Sequence, residues 1–439
     1  MSKISPMMRQ YMEIKERHKD QILFFRLGDF YEMFFDDAII ASRELELQLT
    51  GKNCGMDERA KMCGVPYHSC ESYIARLIDK GYKVAICEQV EDPAKAKGLV
   101  KRDVVRVVTP GTVIEGSMLD ESKNNFICSI KVDCGAAGII FADVSTGEIR
   151  ATQLSGGDIV VKVVNELSRF APREVLLCPN SSQDQNLTLF IKNKLMASMT
   201  VSDNASLDPK YAASMVLQQF NCASLSQIGL ADKGLVVQAF GALLDYLHET
   251  QISGLSRLNR VDLYEVDQYM DLDMTARRNL ELTESMHKGE KYGTLLWVID
   301  QTETAMGRRL LRSYLEQPLL SVSDIMRRQN AVTELYENNQ MRDEIREKLQ
   351  DVFDLKRLMT RVVYGSVTPR ELNALADTAM QLPEIIDRLQ GVQSELLREL
   401  LLNLDPLSDV EQMIHAAIDD KPAPILRDGG YIRHGYNAE

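Results

Sequence analysis

Apolar positions recur along the chain with different periods, and the changes of period divide it. Residues 6–19 place Met7, Tyr11 and Ile14 at helical spacing, with Ser5 as the cap and Pro6 as first helical residue. Residues 22–27, Ile-Leu-Phe-Phe-Arg-Leu, predict a strand that Gly28 ends. Asp29 then reads as the start of a second helix reaching about Leu47, with Met33, Phe34, Ala38, Ala41 and Leu45 on its apolar side. A polar loop over 51–62, a helix over 73–80 stopped by Gly81, and strands over 82–88 and 104–108 complete a small mixed α/β domain, residues 1–112.

Residues 113–124 form a polar connector. Strands over 126–131, 138–144 and 148–153 follow as a meander, with Ser145-Thr146-Gly147 as a tight turn. A helix over 158–170, a strand over 175–178 and a closing helix over 235–249 make a second α/β domain, residues 125–250. From 255 to 439 the third region becomes helical almost throughout. There Leu382, Ile385, Leu389, Val392, Leu396, Leu400 and Leu404 step by three and four, predicting one long helix with an apolar stripe. The expected fold is multidomain: α/β first, all-α after.

Composition narrows the class. The chain is 45% hydrophobic and 26% charged, a globular profile. No run approaches the ~18 apolar residues of a membrane span, and no secretory signal is visible. Eight cysteines without a Cys-x-x-Cys pair predict reduced thiols and a cytoplasmic setting. Net charge is −13, unevenly spread: residues 1–112 hold 18 basic and 17 acidic side chains, the remainder 33 and 47. A polyanion would meet the first region more readily than the rest.

Familiar catalytic patterns are missing. The sequence contains no Gly-x-x-x-x-Gly-Lys-Ser/Thr phosphate loop, no Gly-x-Ser-x-Gly elbow and no His-Glu-x-x-His. Cys63, His68 and Cys70 lie close together without zinc spacing, so no metal is expected there. Asp143 ends a meander strand, as the first aspartate of a ribonuclease-H-type two-metal nuclease does, with Glu148 and Glu166 as conceivable partners. Without diagnostic spacing, a solvated strand-end carboxylate is the better reading.

The stretch 22–35 carries two readings at once. Asp29-Phe30-Tyr31-Glu32 fits a capping box, with Glu32 reaching back to the Asp29 amide and Phe30 joining the core aromatics. The same residues, projecting from a domain tip, suit a DNA reader. An aromatic wedge senses how easily a base step unstacks, and a carboxylate beside it can accept from a base edge while disfavouring ordinary duplex. Lys95, Lys97, Lys101, Arg102 and Arg106 form a basic run able to contact phosphates, or simply a solvated face.

Seven motifs in fixed order extend this stretch. They are Pro6-Met7-Met8-Arg9-Gln10-Tyr11, Gly28-Asp29-Phe30-Tyr31-Glu32, Gly64-Val65-Pro66-Tyr67-His68, Val84-Ala85-Ile86-Cys87-Glu88-Gln89, Arg106-Val107-Val108-Thr109-Pro110-Gly111-Thr112, Arg277-Arg278-Asn279-Leu280-Glu281-Leu282 and Gly430-Tyr431-Ile432-Arg433. In these the chain resembles the bacterial MutS family of DNA mismatch-recognition proteins from its first residue to its last. The resemblance implies a mismatch-binding domain over 1–112, in which Phe30 stacks on a mispaired base and Glu32 hydrogen-bonds it. It implies a ribonuclease-H-like, non-catalytic connector over 125–250 and helical core and lever segments over 255–439 that end where the clamp begins. Duplex DNA with mismatches or small loops is the implied ligand. Relatives that act on recombination intermediates generally lack the Phe-x-Glu pair. For the complete protein the resemblance further implies a C-terminal DNA-dependent ATPase using ATP and Mg²⁺, a homodimer, and the partners MutL and the replication sliding clamp. It implies action in the cytoplasm, at the nucleoid. None of the ATPase motifs lies in this sequence, so no cofactor is expected in this chain.

Overall fold

The computed structural model describes residues 4–55, 58–91, 99–202, 207–250, 254–286, 290–423 and 429–437. They form two compact units: residues 1–119, 125–144 and 148–263 in one, and 120–124, 145–147 and 264–439 in the other.

The first unit holds two six-stranded sheets. Helix α1 (Pro6–Arg17) begins as expected, with Ser5 Oγ accepting from the Met8 amide and Pro6 in the first turn. After it come β1 (Ile22–Leu27), β2 (Phe30–Phe34), α2 (Phe35–Leu45), β3 (Thr50–Lys52), β4 (Ala60–Pro66), α3 (Cys70–Asp79), β5 (Val84–Gln89) and β6 (Arg102–Val108). The strand order is β3-β4-β2-β1-β5-β6, with β1 and β5 parallel and every other neighbour antiparallel.

Residues 29–34 therefore do not start a helix. Gly28, at φ +59°, and Asp29 close a tight turn, and Phe30 pairs with Leu27 across it. The run Phe30-Tyr31-Glu32-Met33-Phe34 is short, aromatic and flanked by two partner strands, so inter-strand hydrogen bonds and burial of Tyr31 and Met33 outweigh the capping geometry. The helix starts at Phe35 instead, with Asp36 and Asp37 in its first turn. Asp37 is buried and satisfied: it accepts from the Tyr11 hydroxyl, Lys15 Nζ and the Leu23 amide.

The second sheet is built from β7 (Ile127–Asp133), β8 (Ala136–Asp143) and β9 (Glu148–Ser155), the expected antiparallel meander. After α4 (Ile159–Phe170) the chain adds β10 (Glu174–Leu177), α5 (Gln185–Phe190) and β11 (Ser198–Val201), with both strands parallel to β7. Helices α6 (Pro209–Phe220) and α7 (Gly234–Glu249) precede the edge strand β12 (Val261–Leu263). Helix α7 lies so close to β8 that a Cβ on Gly138 would fall 2.2 Å from the Leu235 carbonyl carbon.

A buried ionic knot joins the two sheets' surroundings. Glu174 has no exposed surface. Its Oε2 accepts from Thr109 Oγ1 and, at 3.2 Å, from the Gly111 amide. Its Oε1 accepts from the Tyr246 hydroxyl at 2.6 Å and lies 3.2 Å from Lys83 Nζ.

The second unit is helical. It comprises α8 (Met274–Asn279), α9 (Leu295–Ile299), α10 (Ala305–Glu316), α11 (Val322–Glu337), α12 (Asn339–Leu349), α13 (Leu355–Tyr364), α14 (Pro369–Arg388), α15 (Glu395–Asn403) and α16 (Ser408–Ala417). The apolar stripe from Leu382 to Leu404 is not one helix. It breaks at Gly391 (φ +84°) and resumes at Glu395, so Leu389, Val392 and Leu397 meet Ala331 of α11 and Ile385 of α14 in one core. A glycine in the left-handed region ends a helix that its side chains alone would continue.

Candidate nucleic-acid interface

Alternation along β2 sets the geometry. Residues two apart share a face, so Phe30, Glu32 and Phe34 point one way while Tyr31 and Met33 point into the opposite core. Tyr11 of α1 covers Phe34, with ring centroids 5.0 Å apart. Towards the turn that face opens, and Phe30 is 48% exposed. An exposed phenylalanine at a strand end beside a tight turn is a protruding apolar tip.

The tip is braced from behind. Arg26 Nε donates to the Gly28 carbonyl at 2.6 Å, and its guanidinium lies 3.7 Å from the Tyr67 ring centroid. The Tyr67 amide donates to the Asp29 carbonyl at 3.0 Å, and Phe30 pairs with Pro66. Glu88 accepts from the Tyr31 hydroxyl and from Arg26 Nη1. Burial, reinforced by the Glu88 carboxylate, pushes the Tyr31 hydroxyl above the usual phenol range. The turn is thus held by an arginine, two tyrosines and a glutamate from four segments.

Glu32 does not reach the Asp29 amide, because the two residues lie in a hairpin and not in a helical turn. Its Oε2 instead meets Lys52 Nζ of β3 at 2.5 Å. Sequence reasoning missed Lys52, Arg26, Tyr67 and Glu88 as parts of this site. Of the four, Arg26 stood inside the stretch 22–35 and Tyr67 and Glu88 inside motifs already singled out; Lys52 lay outside them, and the pairing of β3 with β4 that brings it in has no local signal.

The basic run splits three ways. Lys95 and Lys97 lie outside the described residues. Lys101 is exposed. Arg102 is buried, contrary to an outward-facing run: Nε donates to the Arg26 carbonyl at 2.7 Å, Nη1 to Gln10 and the Val100 carbonyl, and burial lowers its pKa. Arg106 is paired with Glu115 and donates to the Thr112 carbonyl at 3.2 Å. A register shift in β6 puts these two side chains on opposite faces of the strand, each against internal acceptors.

Asp143 is fully buried and not a solvated strand end; Oδ2 accepts from the Asn125 amide at 3.2 Å. Glu166 is buried in an ion pair with Arg169 at 3.1 Å. Asp143 faces Glu148 across β8 and β9, and among the described residues no three His, Cys, Asp or Glu side chains are grouped to hold a metal ion. No helix among the described residues is long and apolar enough to cross a membrane.

Comparison with known proteins gives a consistent outcome. The family models for MutS domain I, MutS domain II and MutS domain III match residues 5–117, 125–260 and 275–439. The DNA mismatch repair protein MutS of Alkaliphilus oremlandii is 45% identical over 442 residues, which cover 100% of this chain and 50% of that protein. The proteins of the same name from Acetivibrio thermocellus and Ruminiclostridium cellulolyticum are each 46% identical over 439 residues, with the same coverage. The chain spans about half the length of the curated relatives it matches.

Proposed function

The chain belongs to the MutS family, and from that premise we propose that its first domain reads mispaired DNA with the tip of the β1–β2 hairpin. The observation that carries this reading is the exposed Phe30 on a braced turn, with a carboxylate two residues on along the same strand face.

Phe30 enters the minor groove as a wedge and stacks on a base. Unstacking a step costs a few kcal/mol, less where pairing is already lost, so the wedge selects deformable sites irrespective of base identity. A mobile wedge would spend part of its contact energy on ordering. The Arg26–Tyr67 stack and the bonds to the Gly28 and Asp29 carbonyls remove that cost. Glu32 then accepts a hydrogen bond from an edge that a mispair leaves open. Correctly paired DNA offers no such edge, so the carboxylate gains no bond there. Lys101, with Lys95 and Lys97, supplies backbone contacts; Arg102 and Arg106 support the domain from within.

ATP hydrolysis with Mg²⁺, dimerisation, and docking of MutL and the sliding clamp are proposed for the complete protein, at the nucleoid in the cytoplasm. No residue of this chain is assigned to those steps.

The test is Phe30→Ala in the full-length protein, with affinities for a G·T duplex and its homoduplex measured by fluorescence anisotropy across a salt series. The preference should disappear while weak, salt-dependent binding survives. Retention of the full preference would refute the wedge.

A further inference from the structure

Resting on that reading of the tip, we infer that Lys52 is a positioning residue that keeps Glu32 retracted and charge-compensated until a mispaired base displaces it, and so sets discrimination. Lys52 closes the edge strand β3, opposite Ala60 of β4. Glu32 lies one strand further in, opposite Gly64. The lysine must therefore cross β4 diagonally to reach it, with Nζ 5.8 Å from the centroid of the Phe34 ring on the same face. Gly64 keeps that passage open: a Cβ there would sit 3.5 Å from Glu32 Cγ and 3.2 Å from the Tyr31 carbonyl. The pair is only partly hydrated, with side-chain exposures of 34% for Lys52 and 14% for Glu32. Both charges lie on the face whose open end carries Phe30.

This arrangement makes recognition an exchange of partners. In the free protein the pair is close to neutral, and ordinary duplex meets little repulsion from Glu32. At a mispair Glu32 turns to the base edge, and the released ammonium faces a phosphate. One ion pair is lost; one base hydrogen bond and one phosphate contact form. On homoduplex no base edge is open, so the exchange does not occur and Lys52 stays on Glu32.

The consequences separate Lys52 from a plain phosphate contact. In Lys52→Met the bare carboxylate repels homoduplex, while mismatch binding loses a phosphate contact but no longer breaks an ion pair. Homoduplex affinity falls more, and the mismatch-to-homoduplex ratio rises about threefold, the scale of one partly exposed ion pair. In a Glu32→Gln background the same substitution leaves the ratio unchanged. In the Lys52→Met single variant the salt slope of log Kd loses ~1 on mismatched duplex and less on homoduplex. Lys52→Arg, which keeps the charge and the reach, retains the wild-type ratio.

The experiment measures both duplexes across a salt series for full-length wild type, Lys52→Met, Lys52→Gln, Lys52→Arg, Glu32→Gln and the Lys52→Met/Glu32→Gln double variant, with Phe30→Ala alongside. Lys52→Gln keeps the test open if the methionine variant fails to fold. Non-additive ratios and a slope change larger on mismatched DNA than on homoduplex support the inference. Equal losses on both duplexes in both backgrounds overturn it, since Lys52 then acts on phosphates independently of Glu32. Loss of preference in Phe30→Ala together with additive Lys52 effects removes this inference alone. Preference retained in Phe30→Ala removes the reading of the tip itself.

Discussion

Replacing Glu174 by alanine tests whether the first unit depends on its buried ionic knot. The carboxylate has no exposed surface and receives the Thr109 hydroxyl, the Gly111 amide, the Tyr246 hydroxyl and Lys83 Nζ. Removing one member of a buried pair typically costs about 3–5 kcal/mol, because the other charge is left uncompensated. Two features place this site at the low end. Lys83 retains 18% side-chain exposure, and it already donates to Thr200 Oγ1 at 2.7 Å and the Tyr246 hydroxyl at 2.9 Å. The Gly111 amide has no such alternative, since Gly111 is packed against Ile127 and Glu174 itself. The expected loss is therefore about 3 kcal/mol, or ~10²-fold faster exchange of amides that open with the unit. Hydrogen exchange followed by mass spectrometry on peptides covering β5, β10 and α7 reads this directly. Glu174→Gln should lose about half as much, since its amide nitrogen must face donors on one side. A Glu174→Ala variant that exchanges within about threefold of wild type in those peptides would refute the reasoning.

Three further outcomes are expected. Gly138→Ala, which forces a methyl into the Leu235 backbone, should cost about 3 kcal/mol or more and lower the unfolding midpoint in urea. Burial raises the hydroxyl pKa values of Tyr11, Tyr31 and Tyr246 first, with Asp37, Glu88 and Glu174 adding to it. The neutral phenols favour the fold, so this contribution is complete below the unfolded value near pH ~10 and lost as pH rises beyond it; Tyr31→Phe should flatten the alkaline arm of a thermal-stability profile. At pH 8 iodoacetamide should modify the exposed Cys134 and spare Cys63 and Cys87, whose thiols burial pushes up to about 11 and about 12; mass spectrometry of native and unfolded protein separates the two classes.

Much of the architecture was legible where one local signal had no competitor. Ser5-Pro6 opened α1, short strand-like runs around the Ser145-Thr146-Gly147 turn marked the β7–β9 meander, and Gly81 follows α3. The errors fell where two signals overlapped. Residues 29–34 satisfied both a capping box and a short strand, and five residues are too few for the period to decide. The leucine stripe kept its helical spacing through Gly391, so side-chain pattern and backbone conformation disagreed there. Arg102 and Arg106 appeared as free basic residues because the acceptors that hold them, the Arg26 carbonyl, Gln10 and Glu115, are set by folding.

The sequence by itself determined the chemistry of the proposed reader: an aromatic and a carboxylate at positions i and i+2 shortly after a glycine, within ordered motifs shared with a family. Only the tertiary structure decided how that chemistry is mounted. The β1–β2 hairpin puts Phe30 and Glu32 on one strand face, Arg26 and Tyr67 stiffen the turn, and Lys52 reaches across β4 to neutralise Glu32. Those relations follow from strand register, which depends on non-local hydrogen bonds and burial and leaves no trace in the spacing of neighbouring residues.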